Sequence, residues 1–216
     1  MRLNKLLASR LNLSRRKADS LILSSTVTVD GCIAKIGDQV TDTNIILVDQ
    51  KPLPKVQALH LIMLNKPKGF VCSRRGQGSK TIFNLLPQNY HNLNPIGRLD
   101  KDSSGLLLLS NDGDLHQKLA HPASGKIKKY LVTLNKPIND KDIIRLNKGV
   151  TLQDGLSRLI TSRTDKSLDI SMTEGRKRQI RRTFEMIGYR VIALHRYQFG
   201  PYVLNGLGSS KIKVIY

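Results

Sequence analysis

The chain has no tryptophan, only two cysteines and only sixteen acidic residues among 216. Cys32 and Cys72 form no Cys-x-x-Cys pair, which excludes a zinc cluster built on cysteine and gives no disulfide framework. A reducing, cytoplasmic setting is the expectation. Long apolar runs are missing too. Stretches such as Leu106–Leu109 have the length of a buried strand, far short of the ~20 residues a membrane helix needs. Arg2, Lys5 and Arg10 interrupt the N-terminal segment where a signal peptide would carry its apolar core. Phosphate-binding glycine loops, a Gly-x-Ser-x-Gly elbow and His-Glu-x-x-His are all absent. The five histidines, His60, His91, His116, His121 and His195, fall in no compact ligand spacing, so no metal and no cofactor are expected.

The shortage of acids leaves the largest bulk signal. Thirty-six Lys and Arg against sixteen Asp and Glu give a net charge of +20. Self-repulsion on that scale opposes compaction, and a polyanionic partner is its commonest use. Nucleic acid fits better than a membrane surface. Residues 1–56 carry nine basic and five acidic side chains, and residues 57–216 carry 27 and 11, so both parts are basic.

The first fifty residues read as a separate module. Leu3, Leu6 and Leu7 recur at helical spacing, as do Ala18, Leu21 and Ile22, with Ser14 placed to cap the second helix. Val27-Thr28-Val29, the turn Asp30-Gly31 and Ile33–Ile36 predict a hairpin. Arg15, Arg16 and Lys17 fall in the first turn of the second helix, where the helix dipole disfavours cations. An external anion would offset that; the alternative is a solvated basic turn. Residues 51–58, opening Lys51-Pro52-Leu53-Pro54-Lys55, read as a linker, and residues 59–216 as a larger domain. Within it, Leu61–Leu64, Leu106–Leu109, Tyr130–Leu134, Leu168–Met172 and Val191–Leu194 predict strands. Ile180, Phe184 and Ile187 predict a short helix ended by Gly188, and Asn111-Asp112-Gly113 a turn. Many strands with few short helices imply an α+β fold around a mixed, mostly antiparallel sheet.

One segment is dense in chemistry. Between Asn94 and Leu106, Asp100 and Asp102 lie among Arg98, Lys101 and several small residues that let a substrate approach the backbone. A carboxylate kept ionised by a neighbouring cation can act as nucleophile or base. A turn feeding a strand would use the same residues. Arg98 reads either as a phosphate contact or as the ion-pair partner of Asp102. Five of the seven residues from Arg176 to Arg182 are Lys or Arg, a phosphate track or a solvated loop.

Gly97-Arg98-Leu99-Asp100 followed by Ser104-Gly105-Leu106-Leu107-Leu108-Leu109-Ser110-Asn111-Asp112-Gly113 resembles the signature of bacterial ribosomal RNA pseudouridine synthases. This is the family of the uridine synthase of the small ribosomal subunit and of the B-, E- and F-type relatives that act on the large one. The likeness spans nearly the whole chain. It takes in Leu64–Gly69, Leu119-Ala120-His121-Pro122, Lys128-Lys129-Tyr130, Glu174–Arg182 and Leu194-His195-Arg196. Arg2–Ala8, Ser14–Ala18 and Val27–Gly31 resemble the S4 RNA-binding module. The resemblance implies that Asp100 is the catalytic nucleophile and that Tyr130 stacks on the target base and moves a proton. It further implies that Arg181 pairs with Asp100, that Leu194 packs beneath the site, and that Arg98, Lys128 and Arg176 bind substrate. In the S4 module, Arg2, Lys5, Arg15, Arg16 and Lys17 would meet RNA. The implied partner is ribosomal RNA or an assembling ribosome, and the implied state is a monomer. Two rival readings stay open: a non-catalytic RNA-binding or assembly protein on the same fold, and a DNA-binding protein using the N-terminal helix pair.

Overall fold

The structure, a computed structural model, describes residues 1–55, 58–121, 124–165 and 167–216. The chain divides into two units, Met1–His60 with Asn111–Gly113, and Leu61–Ser110 with Asp114–Tyr216.

In the first unit, helices α1 (Leu3–Arg10) and α2 (Arg15–Leu23) bury Leu3, Leu7, Ala18 and Ile22 against Val27, Val40 and Ile46. The Ser14 Oγ accepts from the Lys17 amide at 3.2 Å, the N-cap that the sequence implies. Strands β1 (Val27–Val29), β2 (Cys32–Ile33), β3 (Ile46–Val48) and β4 (Lys51–Pro52) form an antiparallel sheet in the order β2-β1-β3-β4. Asp30 and Gly31 turn the hairpin with φ of 50° and 84°, the left-handed pair its twist favours. Two details differ from the sequence reading. The second hairpin strand stops at Ile33; Ala34 beyond it is buried, and its amide still donates to the Val27 carbonyl at 2.9 Å. Lys51 and Pro52, read as the start of a linker, pair with β3 instead; a proline is tolerated on such an edge strand. Val56 and Gln57 of that linker lie outside the described residues.

The second unit is built on a nine-stranded sheet. Its path runs β11 (Ile160–Arg163), β12 (Leu168–Met172), β8 (Lys128–Leu134), β13 (Val191–Phe199), β7 (Ser104–Ser110), β5 (Leu61–Lys66), β15 (Ile212–Val214). β6 (Asn94–Ile96) and β14 (Tyr202–Val203) pair beside β7 and β13. Among the described residues only β13 and β7 run parallel, and the other strand pairings are antiparallel, so the expected α+β fold on a mixed, mostly antiparallel sheet holds. A two-stranded ribbon, β9 (Val150–Leu152) with β10 (Gly155–Ser157), stands apart from it.

Alternation along the strands makes two cores. Leu107, Leu109, Val132, Ile170 and Leu194 face one side, where α4 (Asp140–Lys148) adds Leu146 and α5 (Gln179–Met186) adds Ile180 and Phe184. Leu61, Met63, Leu106 and Leu108 face the other, with Phe199 and with Leu119 from α3 (Gly113–Ala120). Burial on both faces explains why β5 and β7 read as unbroken apolar runs. Gly188, at φ 80°, ends the α5 segment as expected, whereas Gly113 opens a helix where a turn was expected. Among the described residues no helix is long and apolar enough to cross a membrane.

Candidate active site

Asp100 lies on the loop joining β6 to β7, and three devices hold that loop. Leu99 is buried beside Cys72, whose thiol donates to the Leu99 carbonyl at 3.3 Å. Lys66, fully buried at the end of β5, donates from Nζ to the carbonyls of Pro67 (3.1 Å), Asp100 (3.0 Å) and Ser103 (2.8 Å). Burial pushes the Lys66 ammonium below its ordinary pKa, with Asp100 and Asp102 among the charges opposing that shift. The third device is Gly105, at φ 108°. A Cβ there would lie 2.1 Å from the Arg196 carbonyl oxygen, so the parallel approach of β13 to β7 requires glycine.

The Asp100 carboxylate lines a cleft of about 300 Å³ together with Arg98, Lys128, Tyr130, Leu194 and Arg196. It is half-buried, and among the described residues it makes no hydrogen bond and no ion pair. Tyr130 sits on β8 directly opposite Arg196 of β13, and Leu194 lies two pairs along, on the same face. The Tyr130 ring is buried and its hydroxyl has no hydrogen-bond partner among the described residues. Arg98 is exposed at the rim, without an ion pair among the described residues.

Asp102 has the opposite environment. Arg178 Nη1 contacts both of its oxygens at 3.2 and 3.3 Å, and Arg181 Nε lies 3.2 Å from Oδ2, close enough for an ion pair although poorly aligned as a hydrogen bond. Arg181 also donates to the carbonyls of Val191 and Asp102, each at 3.0 Å. Burial lowers the pKa of Arg181; Asp102 opposes this most and Asp100 less. The expected pairing of Arg181 with Asp100 is therefore replaced by pairing with Asp102. The alternative pairing of Arg98 with Asp102 is not formed either, since Arg178 and Arg181 occupy that carboxylate. Arg181 joins the Asp102–Ser103 backbone to α5 and β13, which places Asp100 without binding its carboxylate.

Arg176 touches the cleft, but both of its terminal nitrogens are already engaged. Nη1 reaches the Asp154 carboxylate at 3.0 Å and the Asp154 carbonyl at 2.6 Å, and Nη2 reaches the Leu156 carbonyl at 2.8 Å. Arg182 holds the other Asp154 oxygen at 2.7 Å. Of the five cations in this run, two share Asp154 and two share Asp102, so the expected phosphate track is largely a set of internal braces. Lys128 Nζ donates to the Thr173 carbonyl at 2.9 Å and lies over the Phe199 ring. Burial pushes its pKa down, and Arg196 adds to the shift. In the first unit, Arg15, Arg16 and Lys17 are exposed on the opening turn of α2, and Arg2 is exposed before α1; Lys5, on α1, is half-buried. Pro122, part of the His121-Pro122 motif, is outside the described residues. Among the described residues no three His, Cys, Asp or Glu side chains gather as a metal site.

The sequence pattern assigns no role to Lys66, Gly105 or Arg196. A lysine ending an apolar strand and an arginine inside a mostly buried one are the signals that would mark two of them. The glycine's requirement is set by a strand ninety residues later in the chain.

The chain is similar to known proteins over nearly its whole length. The model of the family described as RNA pseudouridylate synthase matches residues 60–186. The chain is 34% identical to the small-subunit pseudouridine synthase A of Salmonella typhimurium over 95% of its own length and 91% of the relative's. It is 36% identical to the large-subunit pseudouridine synthase B of Bacillus subtilis over 95% and 88%. An RNA pseudouridine synthase of Aquifex aeolicus is 34% identical over 98% and 88%. A crystal structure of a pseudouridylate synthase superposes with a TM-score of 0.71 at 29% identity, covering all of this chain and 96% of that one. With the free carboxylate, the buried tyrosine and the braced loop in one cleft, the chain belongs to the RNA pseudouridine synthase family, enzymes that isomerise uridine in RNA.

Proposed function

We propose that this enzyme isomerises one uridine of ribosomal RNA, with Asp100 as nucleophile acting on a base flipped out of the RNA. The observation that carries the reading is the Asp100 carboxylate, half-buried and without a partner among the described residues, in a cleft whose other charged groups are mostly cations. The isomerisation breaks N1–C1′ and forms C5–C1′; the C5 proton leaves and N1 gains one, so nothing is added or lost. Attack at C1′ and attack on the uracil ring both require an ionised carboxylate with an oxygen open to the substrate. Stacking on Tyr130 contributes roughly 1–3 kcal/mol toward holding an extruded base. The bare Tyr130 hydroxyl is available for proton transfer, and Leu194 closes the pocket with an apolar surface. Arg98, at the rim, suits a backbone contact. The names of the relatives support ribosomal RNA as substrate. The first unit, with Arg15, Arg16 and Lys17 exposed on one helical turn, acts as an S4-type RNA-binding module. The protein works as a cytoplasmic monomer.

Two measurements test this. Carbodiimide treatment and primer extension of RNA from a deletion strain are expected to show one missing pseudouridine stop; an unchanged set overturns the function. Asp100→Asn is expected to abolish product while RNA binding stays within a few-fold. Turnover by that variant would remove Asp100 from the role of nucleophile.

A further inference from the structure

Arg196 is almost fully buried, at 2% exposure, yet most of its hydrogen-bonding capacity is unused. Its Nε donates to the Leu106 carbonyl at 2.9 Å. Its Nη2 is buried with no partner, and no carboxylate pairs with it among the described residues. The guanidinium lies over the Phe199 ring, 5.0 Å from the centroid, which offsets part of its desolvation but accepts no hydrogen bond. Lys128 lies over the same ring at 5.4 Å, so two cations share it. Burying a cation without its full set of acceptors is strongly unfavourable, and buried polar groups are rarely left this way. A ligand that supplies an oxygen removes the cost.

The position says which oxygen. Arg196 lines the cleft and is the cross-strand partner of Tyr130, so its guanidinium lies at the level of the base platform, with Arg98 exposed at the rim. When N1–C1′ breaks, its electron pair stays with the uracil, and conjugation moves that charge onto O2 and O4. The charge lasts until C5 bonds C1′; loss of the C5 proton and protonation of N1 then restore the ring. We infer that Arg196 is a catalytic residue that donates from its unpartnered Nη2 to a carbonyl oxygen of the target uracil, stabilising the negative charge of the detached base. This rests on the proposed uridine isomerisation at the same cleft. A phosphate bound by the same donors is the competing occupant, and depth disfavours it.

The test uses the full-length enzyme and synthetic RNA carrying the mapped target as uridine, 2-thiouridine or 4-thiouridine. Sulfur accepts hydrogen bonds poorly, so replacing the contacted oxygen weakens only the Arg196 contact. Arg196→Met is expected to lower kcat by about 100-fold, the scale of a lost preorganised donor, with KM nearly unchanged. For one of the two thio substrates, the ratio of kcat for uridine to kcat for the thio base is expected to be at least ~10-fold larger in the wild type than in Arg196→Met. Arg196→Lys, which keeps the charge but not the fork, is expected to show an intermediate kcat and serves the comparison if the methionine variant folds poorly. Equal ratios in the wild type and either variant overturn the inference. So does a raised KM with intact kcat, which marks a phosphate contact. A lower melting temperature for Arg196→Met with unchanged kcat also overturns it, since that marks a structural arginine. If the wild type forms no pseudouridine in any ribosomal RNA, the proposed function itself fails and this inference falls with it.

Discussion

At the scale of single residues, the site is made by what is left unpaired. Asp102 is held by two arginines while Asp100, two positions earlier, has no protein partner among the described residues. The sequence presents both as acids in a basic turn, and no pattern within the segment tells which is free. Lys66 makes the difference possible by fixing the backbone of Asp100 and Ser103 from inside. Lys66→Met removes three hydrogen bonds but also a buried charge, so the two effects oppose each other. The net loss of stability is expected to be about 1–3 kcal/mol. Hydrogen exchange at the amides of residues 100–103 is expected to accelerate, and kcat to fall. Unchanged exchange there would show the loop to be held otherwise. Gly105→Ala is the harsher change, since the methyl group meets Arg196 backbone at 2.1 Å and φ is 108°. A loss of about 3 kcal/mol or more is expected, read as a lower urea midpoint at constant m.

Among the elements, β13 contributes most to the site. Val191–Phe199 pairs with β8 and β7 at once, bringing Arg196 opposite Tyr130 on one side and Gly105 on the other. Its Tyr197 hydroxyl donates to Asp169 of β12 at 2.6 Å, reaching past β8 between them. Burial and this carboxylate push the Tyr197 pKa up from 10.0 to about 12. The unfolded chain loses the phenolic proton near pH 10 while the folded chain keeps it to about 12. Stability contributed by this pair is therefore complete below pH 10 and lost as pH rises through that window. Tyr197→Phe is expected to flatten the fall in melting temperature between pH 10 and 12. An identical pH dependence in both proteins would show that the pair does not titrate this way. The helices were legible from period and caps: Ser14 for α2, and Gly188 beyond α5. The extent of β13 was not, because its apolar part ends at Leu194 and the consecutive residues His195, Arg196, Tyr197 and Gln198 carry no strand-like alternation.

For the whole molecule, the net charge of +20 governs association. Ion pairs among the described residues involve few of the 36 cations, which leaves many to phosphate. RNA affinity is expected to fall linearly with salt on logarithmic axes. Replacing Arg15, Arg16 and Lys17 together by glutamine is expected to reduce that slope by about 2 if each meets one phosphate of single-stranded RNA, with kcat at saturating RNA unchanged. A slope equal to the wild type's would take α2 out of the RNA contact.

Composition, period and short-range spacing are enough to settle the class of fold, the basic character, the capped helices and the motifs that place this chain among the pseudouridine synthases. They do not say which aspartate is free, that Arg181 and Arg176 brace the cleft from within, or that Lys66, Gly105 and Arg196 belong to the site. Each of these turns on a contact between strands or loops far apart in the chain, and charge pairing follows proximity in space. Asp100 is the nucleophile we propose because Arg178 and Arg181 are committed to Asp102 and to backbone, leaving the Asp100 carboxylate without a protein partner among the described residues.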